Sequence, residues 1–222
     1  VTVKPIKYTG RGLIIPVFGS GSYGVTTTAM SLATKLASQA SVLYIDFDLI
    51  SPKADGWFRK PPIIHNLPGI DNGPKATGLN ILVEKQFKFF VENVHNIMIR
   101  SINTKAGYID YLSGIYTKFD ETKLAVTDFS ALLDYCGNNY AYVIIDFGRF
   151  GSSNISNQII KAFSEIAFKS IVVTTGDKYE IRTFRIKLND NKVNIRNVAW
   201  LINMCVSTKI DDSIKQMITP AK

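Results

Sequence analysis

Cysteine is nearly absent: Cys136 and Cys205 are the only two in 222 residues. They stand far apart without metal-ligand spacing, which excludes a disulfide framework and makes buried thiols of a cytoplasmic protein the expectation. Histidine is as scarce, and His65 and His95 with the two thiols do not make a zinc ligand set. Long apolar runs are missing too. The longest, such as Leu13–Phe18 and Val42–Ile45, are far too short to cross a bilayer, so no transmembrane segment is expected. There is no internal repeat and no low-complexity tract.

What is present describes an ordered globular chain, with 46% hydrophobic residues and a mean hydropathy of +0.08. Its length suits a single α/β domain over residues 1–222. The first residue is Val1 rather than Met, and a piece of a longer protein is the expectation. Lys and Arg outnumber Asp and Glu by 26 to 18, a net charge of +8. That balance suits an anionic partner, and it suits equally a soluble, lysine-rich surface.

Short β-rich runs alternate with helical stretches, which predicts βαβ units and a mainly parallel twisted sheet flanked by helices. Strands are expected at Leu13–Phe18, Ser41–Phe47, Gly107–Leu112, Tyr142–Phe147, Ile171–Thr175 and Val198–Asn203. Helices are expected at Thr26–Ser38, Leu79–Ile102, Asp128–Cys136, Asn154–Ala167 and Asp177–Leu188. Gly56–Gly78 carries four of the eight prolines and four glycines, and reads as a long loop.

Ligands of such sheets bind beyond the carboxyl ends of the strands. Those ends here carry Gly19–Gly24, Asp46 and Asp48, Asp146, and Asn203. The stretch Val17–Thr28 has the frame of a phosphate-binding loop: Gly19, four residues, Gly24, then Val25 and Thr26. In such a loop, backbone N–H groups and a helix N-terminus hold phosphates while a lysine neutralises them. The strand–loop–helix context is present and the lysine is not. Thr26 occupies the position whose hydroxyl binds Mg. Asp146 ends an apolar strand, where the second acidic motif of these proteins holds the metal or its water. Asp46 and Asp48 are placed to orient a water or a metal shell. Each acid alone reads as a helix cap or loop solvator; with the loop, they favour a nucleotide-type site.

Tyr23-Gly-Val-Thr-Thr-Thr-Ala29, Leu32-Ala33, Leu36-Ala37 and Val42-Leu-Tyr-Ile-Asp-Phe-Asp48 resemble the ParA/MinD group of P-loop ATPases. The resemblance runs from about Leu13 to about Asp211. Gly107–Ile115, Tyr142–Arg149 and Val172–Asp177 are most similar to the TadZ/CpaE branch, whose members position pili or secretion machines. The resemblance implies a homodimer enclosing two ATP molecules, with cycling on a membrane, nucleoid or partner surface. It places nucleotide contacts on Gly21, Ser22, Tyr23, Gly24, Val25, Thr26, Thr27 and Asn203, the last at adenine. It places Mg on Thr26, Asp46 and Asp146, and a catalytic role on Asp48.

The chain departs from that pattern at two places. The loop lysine falls on Val25, and the signature lysine that reaches across the dimer falls on Ser20. A charge-assisted contact of that kind contributes about 1.5–3 kcal/mol, or ten- to hundredfold in binding. Weak or absent ATP or ADP binding and no significant hydrolysis are therefore expected, unless Lys53 or Arg149 substitutes. Lys178, Arg182 and Arg185 fall near one helical face, which suits non-specific DNA; Glu180 dilutes its charge and favours a merely solvated face. Phe87, Phe89 and Phe90 read as core, because Val91, Val94 and Ile97 continue their stripe.

The expectation is a degenerate, pseudo-ATPase domain. It would scaffold a pilus, secretion or other surface assembly through protein partners, in the cytoplasm, with recruitment to the membrane or a cell pole. An active MgATP-dependent dimerisation switch and a DNA-binding partition protein are the rivals.

Overall fold

The computed structural model describes residues 8–58, 78–79, 97–103, 105–115, 128–203 and 212–218. In chain order its elements are β1 (Leu13–Gly19), α1 (Val25–Ala37), β2 (Ser41–Asp46), the single turn α2 (Asp55–Phe58), β3 (Ile99–Asn103) and β4 (Tyr108–Leu112). They continue as α3 (Asp128–Asn139), β5 (Tyr142–Arg149), α4 (Asn154–Ile166), β6 (Ser170–Thr174), α5 (Lys178–Asp190), β7 (Val198–Ile202) and α6 (Asp212–Ile218). The strands form one sheet in the order β3-β4-β2-β5-β1-β6-β7. All neighbours pair in parallel except β3 and β4, which are antiparallel.

The central strands are apolar without interruption because both faces of the sheet are covered. The pleat divides their side chains by parity. Ile14 and Phe18 of β1, Leu43 and Ile45 of β2, and Val143, Ile145 and Phe147 of β5 enter one core with Leu132, Ile159, Phe163 and Phe184. Ile15, Val17, Val42, Tyr44 and Ile144 enter the other, against Ala29, Met30 and Ala33 of α1. Asp46 and Asp146 continue the parity of Tyr44 and Ile144. The register pairs them, Asp46 opposite Asp146, on the α1 face of the sheet.

One expected helix is corrected. Leu79–Ile102 is not helical to its end, because Ile99–Asn103 is the antiparallel edge strand. The apolar stripe that suggested a helix runs on into that strand, and alternation over five residues is too short to announce the change of period. Phe87, Phe89, Phe90, Val91 and Val94 lie outside the described residues, as do residues 59–77 of the expected loop and Cys205. The loop's first residues belong instead to α2. Cys136 is buried, and burial pushes its thiol well above the ordinary range, as expected of an inert core cysteine. No helix among the described residues is long and apolar enough to cross a membrane.

Candidate nucleotide-type site

β1 runs into a loop that ends at Gly24, whose φ of 88° is left-handed and strained for any other residue. A Cβ there would also lie 2.6 Å from Asn203 Nδ2. Helix α1 starts at once, and its first bond back to the loop is Thr28 N to Gly24 O at 2.9 Å. No side chain caps this helix, so its first-turn N–H groups point into the space beyond the strand ends. By contrast, Ser153 caps α4 through Ser156 N, and Asp177 caps α5 through Glu180 N.

A cavity of about 220 Å³ opens there. Its wall is the loop and helix start: Gly21, Ser22, Gly24, Val25, Thr26 and Thr27. Asp48 and Lys53 come to it from the segment after β2, Trp57 from α2, and Gly148 and Arg149 from the end of β5. Of the site residues expected from the sequence, Gly21, Ser22, Gly24, Val25, Thr26, Thr27 and Asp48 line this cavity, whereas the buried Asp46 and Asp146 do not, and neither do Tyr23 and Asn203. Those two hold each other: the Asn203 amide donates to the Tyr23 carbonyl at 2.7 Å, which ties the end of β7 to the loop. A second, more apolar groove of about 560 Å³ lies along Ser31 and Leu32 of α1 and Trp200 and Leu201 of β7, and Asn203 borders it.

Val25 occupies the first position of α1 and is 4% exposed. Its side chain packs in the α1-side core and lies so near Gly19 that a Cβ on that glycine would meet Val25 Cγ2 at 2.6 Å. Ser20 is engaged as well. Its hydroxyl hydrogen-bonds the Glu180 carboxylate and lies 3.2 Å from the Thr174 hydroxyl. Thr175 donates to the other Glu180 oxygen at 2.6 Å, so the loop is tied to the first turn of α5. The Glu180 contact is invisible in the sequence, because it joins positions 160 residues apart.

Both strand-end acids are buried, each 1% exposed. Asp146 Oδ2 accepts from the Tyr44 hydroxyl at 2.7 Å, and Oδ1 accepts from Gly148 N at 3.0 Å. The Thr26 side chain lies close enough to favour the charged form of Asp146. Asp46 Oδ2 accepts from Lys53 N and Ala54 N, both at 2.9 Å, and Oδ1 from Asp48 N at 3.3 Å. It therefore caps the turn that leads into α2. Burial first, and the facing Asp146 second, push the Asp46 carboxyl up to about 7. Burial also raises Asp146, against the lowering effect of its Tyr44, Thr26 and Gly148 bonds. Asp48 spends Oδ1 on Ile50 N at 3.1 Å and Ser51 N at 3.0 Å.

The arrangement fits a phosphate group at the loop better than a dication at the acids. The loop offers N–H donors and a nearby pair of cations, whereas the chain already supplies three donors to Asp46 and two to Asp146. Among the described residues no group of three or more His, Cys, Asp or Glu is disposed to hold a metal ion. Lys178 and Arg182 of α5 are exposed, away from the buried stripe Ile181, Phe184 and Leu188, and they do not line this cavity.

No family model matches the chain, and no curated protein does. Solved structures do. A ParA family ATPase from Chlorobium tepidum TLS superposes with a TM-score of 0.68 at 15% identity, covering 93% of this chain and 80% of that one. The VpsO kinase domain gives 0.63 at 18% identity, over 88% and 86% of the two chains. A plasmid partition protein from Borrelia burgdorferi, in its complex with AMPPNP, gives 0.59 at 18% identity, over 93% and 80%. At such identities the likeness is one of fold, and the chain has the ParA-like P-loop α/β fold.

Proposed function

We propose that this chain is a P-loop-fold domain that does not hydrolyse nucleotide and works through protein contacts. The observation that carries this reading is the internal use of the catalytic positions. Val25 stands at the head of α1 and packs into the apolar core. Behind it, Asp146 is held by Tyr44, Thr26 and Gly148. Hydrolysis depends on charge placed where the transition state needs it, and the loop supplies none. In this reading residues 1–222 act as one domain with a degenerate loop. Its role is to position or scaffold a pilus, secretion or other surface assembly, which the TadZ/CpaE-like stretches Gly107–Ile115 and Tyr142–Arg149 favour. It would act in the cytoplasm, as a homodimer, recruited to a membrane or pole by its partner.

The test is MgATP turnover by pure protein, wild type beside Asp146→Ala. Phosphate release no greater than the Asp146→Ala background supports the reading. Turnover that vanishes in Asp146→Ala sinks it and restores an ATP-driven switch.

A second reading has its own observation. Arg182 and Lys178 are exposed on α5, and a plasmid partition protein shares the fold. Salt-sensitive binding to non-specific duplex DNA, lost in Arg182→Glu/Arg185→Glu, would establish it. Absence of binding at low salt removes it.

A further inference from the structure

We infer that the outer edge of β7 is a homodimer interface, on which a second copy of this chain lays its own β7 antiparallel, Trp200 opposite Trp200, so that two sheets become one. The inference deepens the homodimer of the reading above and rests on it. It names an interface that lies apart from the loop.

Among the described residues β7 has β6 on one side and no strand on the other. The bonds Ser170 N to Asn197 O at 2.9 Å and Asn203 N to Thr174 O at 2.7 Å set the alternation along the strand. Asn197, Ala199, Leu201 and Asn203 turn their main-chain groups to β6, and Trp200 and Ile202 turn theirs outward. Such an edge is a template for another strand, and natural edges are guarded by charge, proline or a bulge. The opposite edge of this sheet is guarded: β3 contains Arg100, and its register shifts between Arg100 and Ile102. Val198–Ile202 holds no charge and no proline, and its register with β6 runs without a shift.

The strand complements itself, which points to a second copy. A two-fold antiparallel pairing centred on Trp200 sets Val198 opposite the partner's Ile202 and Ala199 opposite the partner's Leu201. Trp200 with Trp200, and Val198 with Ile202, then fall at hydrogen-bonded positions, where outward main-chain groups meet. On the α1 face the small Ala199 receives Leu201, which is 41% exposed in the single chain. Both residues line the apolar groove with Leu32 and Ile171, so the groove continues across the two-fold. On the other face Trp200, packed edge-on against Phe184 at 6.2 Å, meets its own copy. Charge supports the same occupant. Each copy carries +8, so two copies meet most easily where neither presents a charge, and Asn197–Asn203 contains no ionisable side chain. That neutrality also gives an acidic or nucleic-acid partner nothing to grip.

The experiment is sedimentation velocity at micromolar concentration, in EDTA and without nucleotide. A dimer is expected. Ala199→Lys and Leu201→Lys put an ammonium at the joint, and both sites are exposed in the single chain, so circular dichroism should be unchanged. Each variant is expected to dimerise about tenfold more weakly, or worse. Register is read by disulfide cross-linking in a Cys205→Ser background. Residues opposed at a non-hydrogen-bonded position have Cα atoms about 4.5 Å apart, within disulfide reach. A mixture of Ala199→Cys and Leu201→Cys chains should therefore cross-link, and neither variant alone should. A monomer overturns the inference and leaves the edge to an extended segment of a different protein. A dimer that survives both lysine variants overturns it too, as does one that forms only with ATP, or cross-linking without preference for the mixture. The turnover test above is read on other variants, so the two claims fail independently.

Discussion

The Tyr44 hydroxyl donates to Asp146 Oδ2 at 2.7 Å, between neighbouring strands and wholly inside the protein. In the register Tyr44 faces Ile144, so Asp146 is its diagonal neighbour two residues on, within reach of a long side chain. The bond gives a buried carboxylate a donor from the protein itself. Tyr44→Phe removes that donor and little volume. A buried acceptor that loses a partner costs about 1–3 kcal/mol. Urea unfolding of Tyr44→Phe should show a loss in that range with an unchanged m-value. A variant as stable as wild type would mean that the bond does not hold Asp146.

The pairing of Asp46 with Asp146 predicts a pH dependence of definite sign. Asp46 has a folded pKa of about 7 against an ordinary value of 3.8. The folded state therefore keeps a proton that the unfolded state has released, and stability falls as pH rises from about 4 to about 7. Below that window the raised acid carries no penalty; above it the penalty is constant. In Asp46→Asn the titrating group is gone. The stability difference between variant and wild type should move in the variant's favour by about 2–4 kcal/mol between pH 4 and pH 8. A difference that stays flat with pH would show that Asp46 is ionised throughout.

Gly148 is the pivot that lets Arg149 follow Asp146 at the cavity. Its φ is 61°, and an added Cβ would stand 2.3 Å from Asp48 Oδ2. Gly148→Ala meets both penalties, left-handed backbone strain of about 1 kcal/mol and the displacement of Asp48. We expect a loss of about 2 kcal/mol or more in chemical unfolding. Full stability in Gly148→Ala would contradict the described turn.

The central strands were legible because a parallel sheet covered on both faces writes uninterrupted apolar runs, as in Leu13–Phe18 and Val42–Ile45. The loop was legible because glycine spacing and the following helix stripe are local. The acids were legible as strand ends, and parity together with register brings Asp46 and Asp146 onto one face. What stayed hidden was non-local. Nothing near Ser20 in the chain announces Glu180, and nothing near Tyr23 announces Asn203. Ile99–Asn103 was hidden for another reason: a five-residue edge strand follows a stripe with helical spacing, and local pattern does not separate the two.

Val25→Lys tests whether the loop still has the shape that a lysine would use. Val25 lines the cavity and also belongs to the α1-side core, so the new side chain must leave the core and rise into the cavity. Removing a small buried apolar side chain costs about 1–2 kcal/mol of stability. In return, an ammonium placed among the loop N–H groups contributes about 1.5–3 kcal/mol to holding a phosphate. Pyrophosphate affinity should therefore rise ten- to hundredfold over wild type, while the melting temperature falls by a few degrees. The rise should be smaller where Lys53 and Arg149 are intact than in the Lys53→Gln/Arg149→Gln background, because three cations around one anion repel one another. Calorimetry on the four proteins of that cycle decides it. Equal gains in both backgrounds would mean that Lys53 and Arg149 do not reach the anion that Lys at position 25 holds, and no gain in either would mean that the loop is closed to phosphate.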